Sequence, residues 1–469
     1  MGPSFRNISE PKKDVPSPAS SHTQAKVEEA YALYLKGQLA QAQTLFQEVL
    51  NAYPDHSYAL HLLGVIAFHA KNYQTAVRLI DRAIISQPDD ATFYSNRGNA
   101  LQKLAQLDAA VASFDKAIAL RPDFVDAYYN RGNAMFELTR LDAAVASYDT
   151  AIALRPDHNE AIFNKSQALL LRGDLVRGWE LFEWRWASEQ MKPMKRTFPQ
   201  PLWLGQESLA GRTILLHSEQ GLGDTIQFCR YAKLVSDLGA RVILEAPTPL
   251  VGLLRPLQGV SAVVAKGSPL PAFEYHCPLL SLPLAFKTTV DSIPCPVPYL
   301  RADFSKLTYW ASKLGDRQSP RIGLVWSGRS DHKNDRNRSI GLAALLQQLP
   351  AGFEYVSLQK DIRDKDQSVL ESRPDLLHFG PDLNDFADTA ALCELMDVVI
   401  SVDTSVAHLS GALGKPTWVL LPFTPDWRWL LDRDDSPWYP SVRLYRQPRI
   451  SDWDSVLKKF KADLALFRR

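Results

Sequence analysis

The sequence predicts an α-helical repeat solenoid followed by two α/β domains, a fold class of α plus α/β. A pattern of residues recurs every 34 positions in the first part of the chain. Short apolar runs separated by helical stretches fill the remainder. The composition, with 46% hydrophobic and 22% charged residues among 469, is that of ordinary globular domains and excludes global disorder.

Charge and cysteine content exclude several functional classes. Lys and Arg number 53 against 52 Asp and Glu, so the chain has no basic excess for nucleic-acid backbones. The four cysteines lie far apart, which argues against a zinc knuckle or a disulfide framework. No apolar run approaches the roughly 18 residues of a membrane helix. Residues 1–22 lack the apolar stretch of a signal peptide. We therefore expect a cytoplasmic protein with a disordered leader over 1–22.

The helical region, 23–192, is defined by its repeated positions. Pro-Asp recurs from Pro54 onward and a glycine recurs from Gly64 onward, each at a spacing of 34. Small residues let paired helices approach closely, and proline ends the second helix because it cannot donate its amide. We predict a degenerate capping repeat from Asn159, preceded by four full repeats at 23–56, 57–90, 91–124 and 125–158.

This pattern resembles the tetratricopeptide repeat, whose first helices line a concave groove. Asn96, Asn130 and Asn164 recur at the spacing of 34 on successive first helices. A side-chain amide offers both a donor and an acceptor, so the three are predicted to pair with the backbone of an extended peptide. Ordinary helix packing is the alternative explanation for these asparagines.

The region after a proline-containing linker at 193–210 is predicted to have an α/β fold. Buried strands are predicted at 213–217, 242–245, 262–265, 322–326, 355–358, 398–402 and 417–421. Their alternation with helices favours parallel, doubly wound sheets. The predicted order is a first domain at 211–300, a hinge at 301–319, and a second domain at 320–469 that ends in an amphipathic helix.

The first strand end with candidate chemistry carries the run from Glu219 to Asp224. Gly221 and Gly223 permit a tight turn and a close ligand approach. The run lacks the spacing of a dinucleotide fingerprint. Asp224 begins the next helix, where it is either a functional carboxylate or only a helix cap.

The other two candidate strand ends suit a phosphate group. The strand at 398–402 leads into a helix N-terminus, a ready anion site formed by Asp403, Thr404, Ser405, Val406 and His408. Asp403 would repel phosphate, so it is better suited to capping or to sugar hydroxyls, and His408 is alternatively a helix histidine bonded within the fold. The strand that ends at Trp326 leads into a loop that is predicted to be either a phosphate-binding clamp or a solvated loop. The residues of this loop are Ser327, Gly328, Arg329, Lys333, Arg336 and Arg338.

Together these residues resemble the family 9 glycosyltransferases of the lipopolysaccharide heptosyltransferase type. The resemblance covers roughly 211–445 and rests on GLGDTIQF and DTSVAHLSGALGKPTWVLLP. It implies a GT-B fold, with two Rossmann-like domains that hold the acceptor and the nucleotide-sugar across a cleft. It also implies a catalytic carboxylate at Asp224, a donor-site acid at Asp403, a diphosphate loop at 404–406, and a phosphate-binding lysine at Lys333.

We therefore predict an inverting glycosyl transfer from a nucleotide-diphosphate sugar, without a metal or a cofactor. Asp224 is the candidate general base, and Glu219 is its nearest rival. Trp427, in a run that departs from the heptosyltransferase pattern, is predicted to stack on a base or sugar, with loop packing as the alternative. Joining such repeats to a transferase resembles the O-GlcNAc transferases, which implies a protein acceptor. The alternatives are a glycan or lipid-linked acceptor, with the repeats used for docking, and a non-catalytic scaffold with an inactive transferase domain.

Overall fold

The computed structural model describes residues 18–331 and 334–467. The chain forms two compact units, and the division falls between Ala168 and Leu169. Within the described ranges, no helix combines the length and the apolar character needed to cross a membrane.

The N-terminal unit is a run of antiparallel helix pairs joined by short turns. Its first helix begins at Pro18, so residues 18–22, which were expected to be disordered, are helical. Proline is tolerated in the first turn of a helix. The rest of the predicted leader lies outside the described residues. The helices are α1 Pro18–Leu35, α2 Leu39–Ala52, α3 Ser57–His69, α4 Tyr73–Ser86, α5 Ala91–Lys103, α6 Leu107–Leu120, α7 Val125–Glu137, α8 Leu141–Leu154 and α9 Asn159–Arg172, of which the last four residues fall in the C-terminal unit.

Close approach within each pair depends on the repeated glycine. A Cβ atom at Gly98 would lie 2.6 Å from the ring of Phe114, and one at Gly132 would lie 2.5 Å from the ring of Tyr148. A larger residue at these positions would force the two helices apart. The small residue and the large ring facing it therefore set the packing distance in each repeat.

Arginines on the first helices connect the second helices of neighbouring repeats. Arg131 donates to Asp115 at 2.6 Å and to Ser147 at 2.8 Å. Arg97 makes the same pair of bonds one repeat earlier, to Asp81 and Ser113. The repeated sequence therefore repeats its polar contacts as well as its core.

The first helices of adjacent repeats contact one another directly. The Tyr34 hydroxyl lies 3.4 Å from Nε2 of His69, and Gln102 donates to Glu137 at 2.6 Å. Each of these contacts spans 35 residues and joins equivalent places in successive repeats. We call the surface that these first helices share the first-helix face. Its register positions hold Tyr34, Phe68, Gln102 and Phe136; His69, Lys103 and Glu137; and Tyr58, Thr92, Asp126 and Glu160, and Tyr31 of α1 also belongs to it. Of these residues, Phe68, Thr92 and Asp126 are buried.

The C-terminal unit contains two parallel sheets. The smaller sheet has the strand order β3-β2-β1-β4, from strands β1 Thr213–His217, β2 Arg241–Ala246, β3 Val260–Ala265 and β4 Tyr275–Pro278. The segment before β1 contains α10 Leu175–Phe182 and a short 3-10 helix, Glu183–Ala187. The helices between and after the strands are α11 Leu222–Phe228, α12 Tyr231–Asp237, α13 Val251–Leu254 and α14 Leu282–Ala285.

The larger sheet has the strand order β10-β9-β8-β5-β6-β7. Its strands are β5 Arg321–Val325, β6 Glu354–Ser357, β7 Leu376–His378, β8 Val398–Val402, β9 Thr417–Leu421 and β10 Val442–Arg446. The accompanying helices are α15 Phe304–Leu314, α16 Asp335–Arg338, α17 Leu342–Leu346, α18 Asp364–Glu371, α19 Phe386–Glu394, α20 Ser405–Ala412 and α21 Trp453–Ala465. This is the doubly wound order, and its direction reverses between β5 and β8.

Three strands and one helix differ from the sequence-based expectation. The sequence does not predict β4, β7 and β10; β4 and β7 are short, with four and three residues, and one exposed residue, Arg443, interrupts β10. The predicted hinge at 301–319 contains α15, which Asp303 caps by accepting from the amides of Ser305 and Lys306. The seven predicted strands all occur, within two residues at each end.

Candidate functional site

The reversal of strand order between β5 and β8 brings two of the predicted loops together. In open α/β sheets, ligands bind outside the carboxyl ends of the strands at this point. Arg338, at the end of the loop after β5, donates to the backbone carbonyl of Asp403 at 2.9 Å, immediately after β8. The structure therefore joins two sequence-predicted site residues that are 65 positions apart.

The remaining cations of the β5 loop lie elsewhere. Arg329 is exposed and pairs with Asp331, and Arg336 is also exposed. Lys333 lies outside the described residues. Four cations were expected to form the clamp. Among the described residues, Arg338 is the one of these four that contacts the segment after β8.

The three residues that open the β5 loop are held within the fold. Trp326 is buried and donates its indole N–H to Asp366 at 3.1 Å. The amide of Gly328 donates to the Ser339 hydroxyl at 3.2 Å, which closes the loop on itself. Ser327 is buried, and its hydroxyl has no hydrogen-bond partner in the described ranges. Trp326 therefore positions the loop, while Ser327 keeps an unused polar group at the strand end.

The segment after β8 forms the N-terminus of α20. Thr404 is the N-cap residue, and its hydroxyl lies 3.1 Å from that of Ser401. Ser405 begins the helix, and Val406 is mostly buried. Burial, reinforced by the nearby charge of Asp426, raises the pKa of Asp403 to about 6. Amide donors and hydroxyls at this helix start could receive an anion, but the carboxyl group of Asp403 limits how much negative charge fits.

The motifs GLGDTIQF and DTSVAHLSGALGKPTWVLLP meet at Gly223. A Cβ atom there would lie 2.9 Å from the imidazole of His408 and 3.4 Å from Cα of Ser405. Glycine at this position therefore lets α11 pack directly against the first turn of α20. The turn glycine Gly221 is the N-cap residue of α11.

His408 is held inside the fold. It lies 3.0 Å through Nδ1 from the Tyr439 hydroxyl, and its ring stacks on that of Trp429 with centroids 5.2 Å apart. Burial keeps its pKa well below the ordinary value for histidine, and the charge of Arg428 acts in the same direction. His408 is therefore a neutral packing residue in this structure.

Both carboxylate oxygens of Asp224 are engaged. One accepts from the amide of Gly221 at 2.7 Å, as in a capping box, and the other pairs with Arg428. The side chain is 18% exposed. Asp224 thus combines the expected cap with an ion pair that the sequence analysis did not include.

Arg428 is the central residue of this site, and sequence reasoning missed it. Its guanidinium pairs with Asp224, donates to Asp426 at 2.8 Å and to the side chain of Gln227 at 2.7 Å, and lies 4.1 Å from the ring centroid of Trp427. It is 6% exposed. The sequence places Arg428 between two tryptophans and two residues after Asp426. This pattern indicates a buried arginine, because such a residue needs apolar neighbours and carboxylate partners.

Trp427 lies in the interior and has no open face for a nucleotide base. It is 4% exposed, and Trp179 meets it edge-on at 5.1 Å between ring centroids. Phe228 and Trp438 also pack against it. The predicted stacking role is therefore corrected to core packing, which buries an apolar ring too large to leave in water.

Glu219, the rival base, forms a separate buried cluster. Its Oε1 lies 3.1 Å from Nη2 of Arg185, and the same arginine donates to Ser281 at 2.7 Å and to Glu183 at 2.6 Å. Burial raises the pKa of Glu219 to about 7 against the opposing effect of Arg185. Arg185, from the segment that precedes β1, is the second charged residue that sequence reasoning did not assign.

The three asparagines of the solenoid do not line an open groove as expected. All are buried; Asn96 lies 2.8 Å from the His61 ring, and Asn164 donates to the Tyr129 hydroxyl at 3.0 Å. Each partner lies 35 positions earlier. The equivalent partner of Asn130 is Ser95, whose side chain is shorter, and the Asn130 amide has no hydrogen-bond partner in the described part of the chain.

Carboxylates, imidazoles and thiolates are the side-chain groups that could hold a metal ion. Within 18–331 and 334–467, no group of three or more His, Cys, Asp or Glu side chains is arranged to hold a metal ion. The carboxylates nearest the two motifs, Asp224 and Asp426, share the guanidinium of Arg428 instead.

One relative and several solved structures resemble parts of this chain. Protein FlbA of Caulobacter vibrioides is 26% identical over 328 residues, which cover 64% of this chain and 54% of FlbA. The chain thus spans about half the length of that relative. A crystal structure of MamA is 21% identical, with a TM-score of 0.34, over 39% of this chain and 100% of that one. A thermophilic TPR protein of Thermus thermophilus, TTC0263, is 21% identical, with a TM-score of 0.31, over 36% of this chain and 92% of that one.

Family models match the helical region. Models described as tetratricopeptide repeat match residues 27–91 and 125–158, and one described as TPR repeat matches 106–139. The last of the predicted full repeats, 125–158, coincides with one of these matches. The helix pairs and their recurring contacts agree with the same assignment. The N-terminal unit of this chain is therefore built from tetratricopeptide repeats.

Proposed function

We propose that this chain is a protein-interaction scaffold whose repeat solenoid binds a protein partner through the first-helix face. The observation that carries this proposal is that first helices of adjacent repeats contact one another while the tyrosine rings of α1 and α3 stay half-buried. Tyr31 and Tyr58, from successive repeats, pack edge-on with ring centroids 6.0 Å apart, and both are partly exposed. Aromatic rings that are partly open to water are typical anchors of binding surfaces.

A peptide-display selection against the full chain tests this role. Tyr58→Ala and His69→Ala remove side chains of the first-helix face and should each abolish or weaken capture of the selected peptides. Ile85→Ala is the matched control, because Ile85 lies on the second helix α4 and is 81% exposed. Equal loss of binding in all three variants, or no selected peptides at all, would refute the proposal.

A second proposal concerns the C-terminal unit. We infer that it is a GT-B-type domain pair that binds a nucleotide-diphosphate sugar at the reversal point between β5 and β8. The bond from Arg338 to the Asp403 carbonyl supports this, because it places a cation beside the N-terminus of α20. In this proposal, the diphosphate lies against Ser405 and Arg338, and no metal or cofactor is needed.

Transfer would be inverting, with Asp224 as general base on an acceptor hydroxyl of the bound protein. The ion pair with Arg428 occupies one of the two carboxylate oxygens of Asp224. Catalysis would therefore require Asp224 to turn toward the acceptor while Arg428 keeps Asp426 as its partner. The family models match the repeats, so the scaffold role has the broader support. Catalysis on a protein or a glycan acceptor is an additional proposal.

Melting of the full chain with UDP, GDP, ADP or CMP tests the nucleotide site. A nucleotide at 100 times its Kd should stabilise the protein by about 2.7 kcal/mol, with or without EDTA. Arg338→Ala should remove the shift, while Arg329→Ala should keep it, because Arg329 is exposed and pairs with Asp331. If none of the four shifts the melting temperature, or if EDTA abolishes the shift, the metal-free nucleotide site is wrong.

A further inference from the structure

The loop after β5 is held by the segment that follows β6, the neighbouring strand in the larger sheet. Gln359 lies just beyond β6 and bonds the backbone of Ser327 in both directions. Its Oε1 accepts from the Ser327 amide at 3.3 Å, and its Nε2 donates to the Ser327 carbonyl at 3.0 Å. The start of the β5 loop is therefore fixed by a side chain from the next strand end, in a segment that carries none of the sequence-predicted site residues.

Asp366, in the first turn of α18, fixes both ends of the β5 loop. Its carboxylate accepts from the indole N–H of Trp326 at 3.1 Å, at the start of the loop, and from the amide of Leu342 at 3.1 Å, at the start of α17. The backbone closes the same gap, because the Ile340 amide donates to the Trp326 carbonyl at 2.8 Å. Asp366 is 3% exposed, so water competes little for these bonds.

Arg363, the N-cap residue of α18, connects the two sides of the loop. Its Nη2 lies 2.7 Å from the Gly328 carbonyl on one side, and 2.7 Å from Asp335 and 3.1 Å from the Ser339 hydroxyl on the other. Gly328 and Ser339 are 11 residues apart. The side chain of Arg363 is 19% exposed. One largely buried guanidinium from outside the loop therefore bridges it.

Arg338 depends on this closure. It precedes Ser339 and lies against Gly328, where an added Cβ atom would overlap its guanidinium. Its Nη1 donates to the Asp403 carbonyl beside the N-terminus of α20. Arg363 thus holds, through the Gly328 carbonyl, the same residue on which Arg338 lies. Loss of the Arg363 bonds would free Gly328 and, with it, the surface that directs Arg338.

The charge of Arg363 is already matched within the loop. Arg363 forms an ion pair with Asp335, whose side chain is 12% exposed. Burial acts to raise the pKa of Asp335, but the bonds from Arg363 and Ser339 hold it below its ordinary value. A guanidinium paired with a carboxylate brings little net charge to a phosphate group. Arg363 is therefore better suited to holding the loop than to binding phosphate.

We infer that Arg363 is a positioning residue for the proposed nucleotide site. It keeps the β5 loop closed so that Arg338 reaches the N-terminus of α20, and it does not touch the nucleotide itself. A loop that is fixed before the ligand arrives loses less entropy on binding, so its closure favours affinity. This inference rests on the proposed nucleotide site and adds a residue that acts on it from a third strand end.

A double-mutant cycle on the full chain tests the inference by calorimetric titration with UDP, GDP, ADP and CMP. Arg363→Gln should weaken nucleotide binding at least about 10-fold, the size of one hydrogen bond to a charged group. In an Arg338→Ala background, the same change should have no further effect, because Arg363 acts through Arg338. Losses that add in the double variant would overturn the inference, since they would show that Arg363 contacts the nucleotide directly. Unchanged affinity in Arg363→Gln would overturn it as well.

The matched control is Arg373→Gln. Arg373 also pairs with a carboxylate, that of Asp375 at 2.6 Å, but it lies beyond the end of α18 and away from the β5 loop in sequence. This change should leave nucleotide affinity unchanged.

Hydrogen exchange of the nucleotide-free chain gives a readout that does not depend on a ligand. The amides of Gly328 and Ile340 should exchange about 10-fold faster in Arg363→Gln and at the wild-type rate in Arg373→Gln. Unchanged exchange in Arg363→Gln would overturn the inference even if nucleotides bind. Faster exchange together with no nucleotide binding by the wild-type chain would refute the nucleotide site and still confirm that Arg363 holds the loop.

Discussion

Arg428 and Asp224 form an ion pair across 204 residues of sequence. Asp224 lies in the first turn of α11, beside the smaller sheet, and Arg428 lies in a 3-10 helix after β9 of the larger sheet. Arg428 also holds Asp426 and Gln227. One buried guanidinium therefore connects the two halves of the C-terminal unit at the point where the two motifs meet.

Arg428→Ala should strongly destabilise the C-terminal unit. The change leaves the largely buried Asp224 and its neighbour Asp426 without their shared cation, and breaking a buried pair typically costs about 3–5 kcal/mol. Urea unfolding measures the loss. Arg329→Ala, at an 81% exposed arginine, should change stability by less than about 0.5 kcal/mol. Similar losses in the free energy of unfolding for the two variants would show that the ion pairs of Arg428 do not stabilise the C-terminal unit.

Asp224→Asn should separate the structural and catalytic roles of this residue. Asparagine keeps an acceptor for the Gly221 amide but loses the ion pair, so we expect a loss of about 1.5–3 kcal/mol in the free energy of unfolding. A sequence-based view of Asp224 as a free base predicts no such loss. If Asp224 is also the proposed base, turnover should fall about 10²- to 10⁴-fold in addition to any loss of activity that unfolding causes. Unchanged stability would argue that the ion pair contributes nothing.

Phe114→Tyr should stabilise the solenoid, while Tyr148→Phe should destabilise it. The Tyr148 hydroxyl donates to Asn133 at 2.9 Å. One repeat earlier the equivalent residues are Phe114 and Asn99, and the buried amide of Asn99 has no hydrogen-bond partner in the described ranges. Adding or removing one such bond changes stability by about 1 kcal/mol. Denaturant unfolding of the pair gives the measurement. Destabilisation by Phe114→Tyr would show that the two repeats do not offer the same space.

The stability of the solenoid should fall as pH is lowered from 6.5 to 4. Burial lowers the pKa of His61 from 6.5 to about 4, so in this window the unfolded chain binds a proton that the folded chain does not. The loss amounts to up to about 3 kcal/mol at 1.36 kcal/mol for each pKa unit.

His61→Tyr provides the control for this pH dependence. Tyrosine occupies the equivalent position as Tyr129, where its hydroxyl bonds Asn164. The variant should keep a bond to Asn96 and lose the dependence on acid. Urea midpoints at neutral and acidic pH decide between the variants; parallel losses in both would assign the acid sensitivity to other groups.

The repeats could be predicted in detail because their contacts are local. A spacing of 34 places the same side chains at the same helix positions, so Gly132 facing Tyr148 follows from Gly98 facing Phe114. The inward direction of the asparagines could not be predicted. Their hydrogen bonds depend on whether the residue 35 positions earlier is long enough to reach them, as His61 and Tyr129 are.

The sequence by itself determined the helical repeat, the parallel strands, and the loops that follow β1, β5 and β8, since periodicity and apolar runs are properties of neighbouring residues. Only the tertiary structure decided what each loop residue does. Arg428 pairs with Asp224, Trp427 packs inside, and Arg338 meets Asp403, because side chains far apart in sequence share one desolvated region. Charge partners and burial depend on that three-dimensional neighbourhood, which spacing along the chain does not encode.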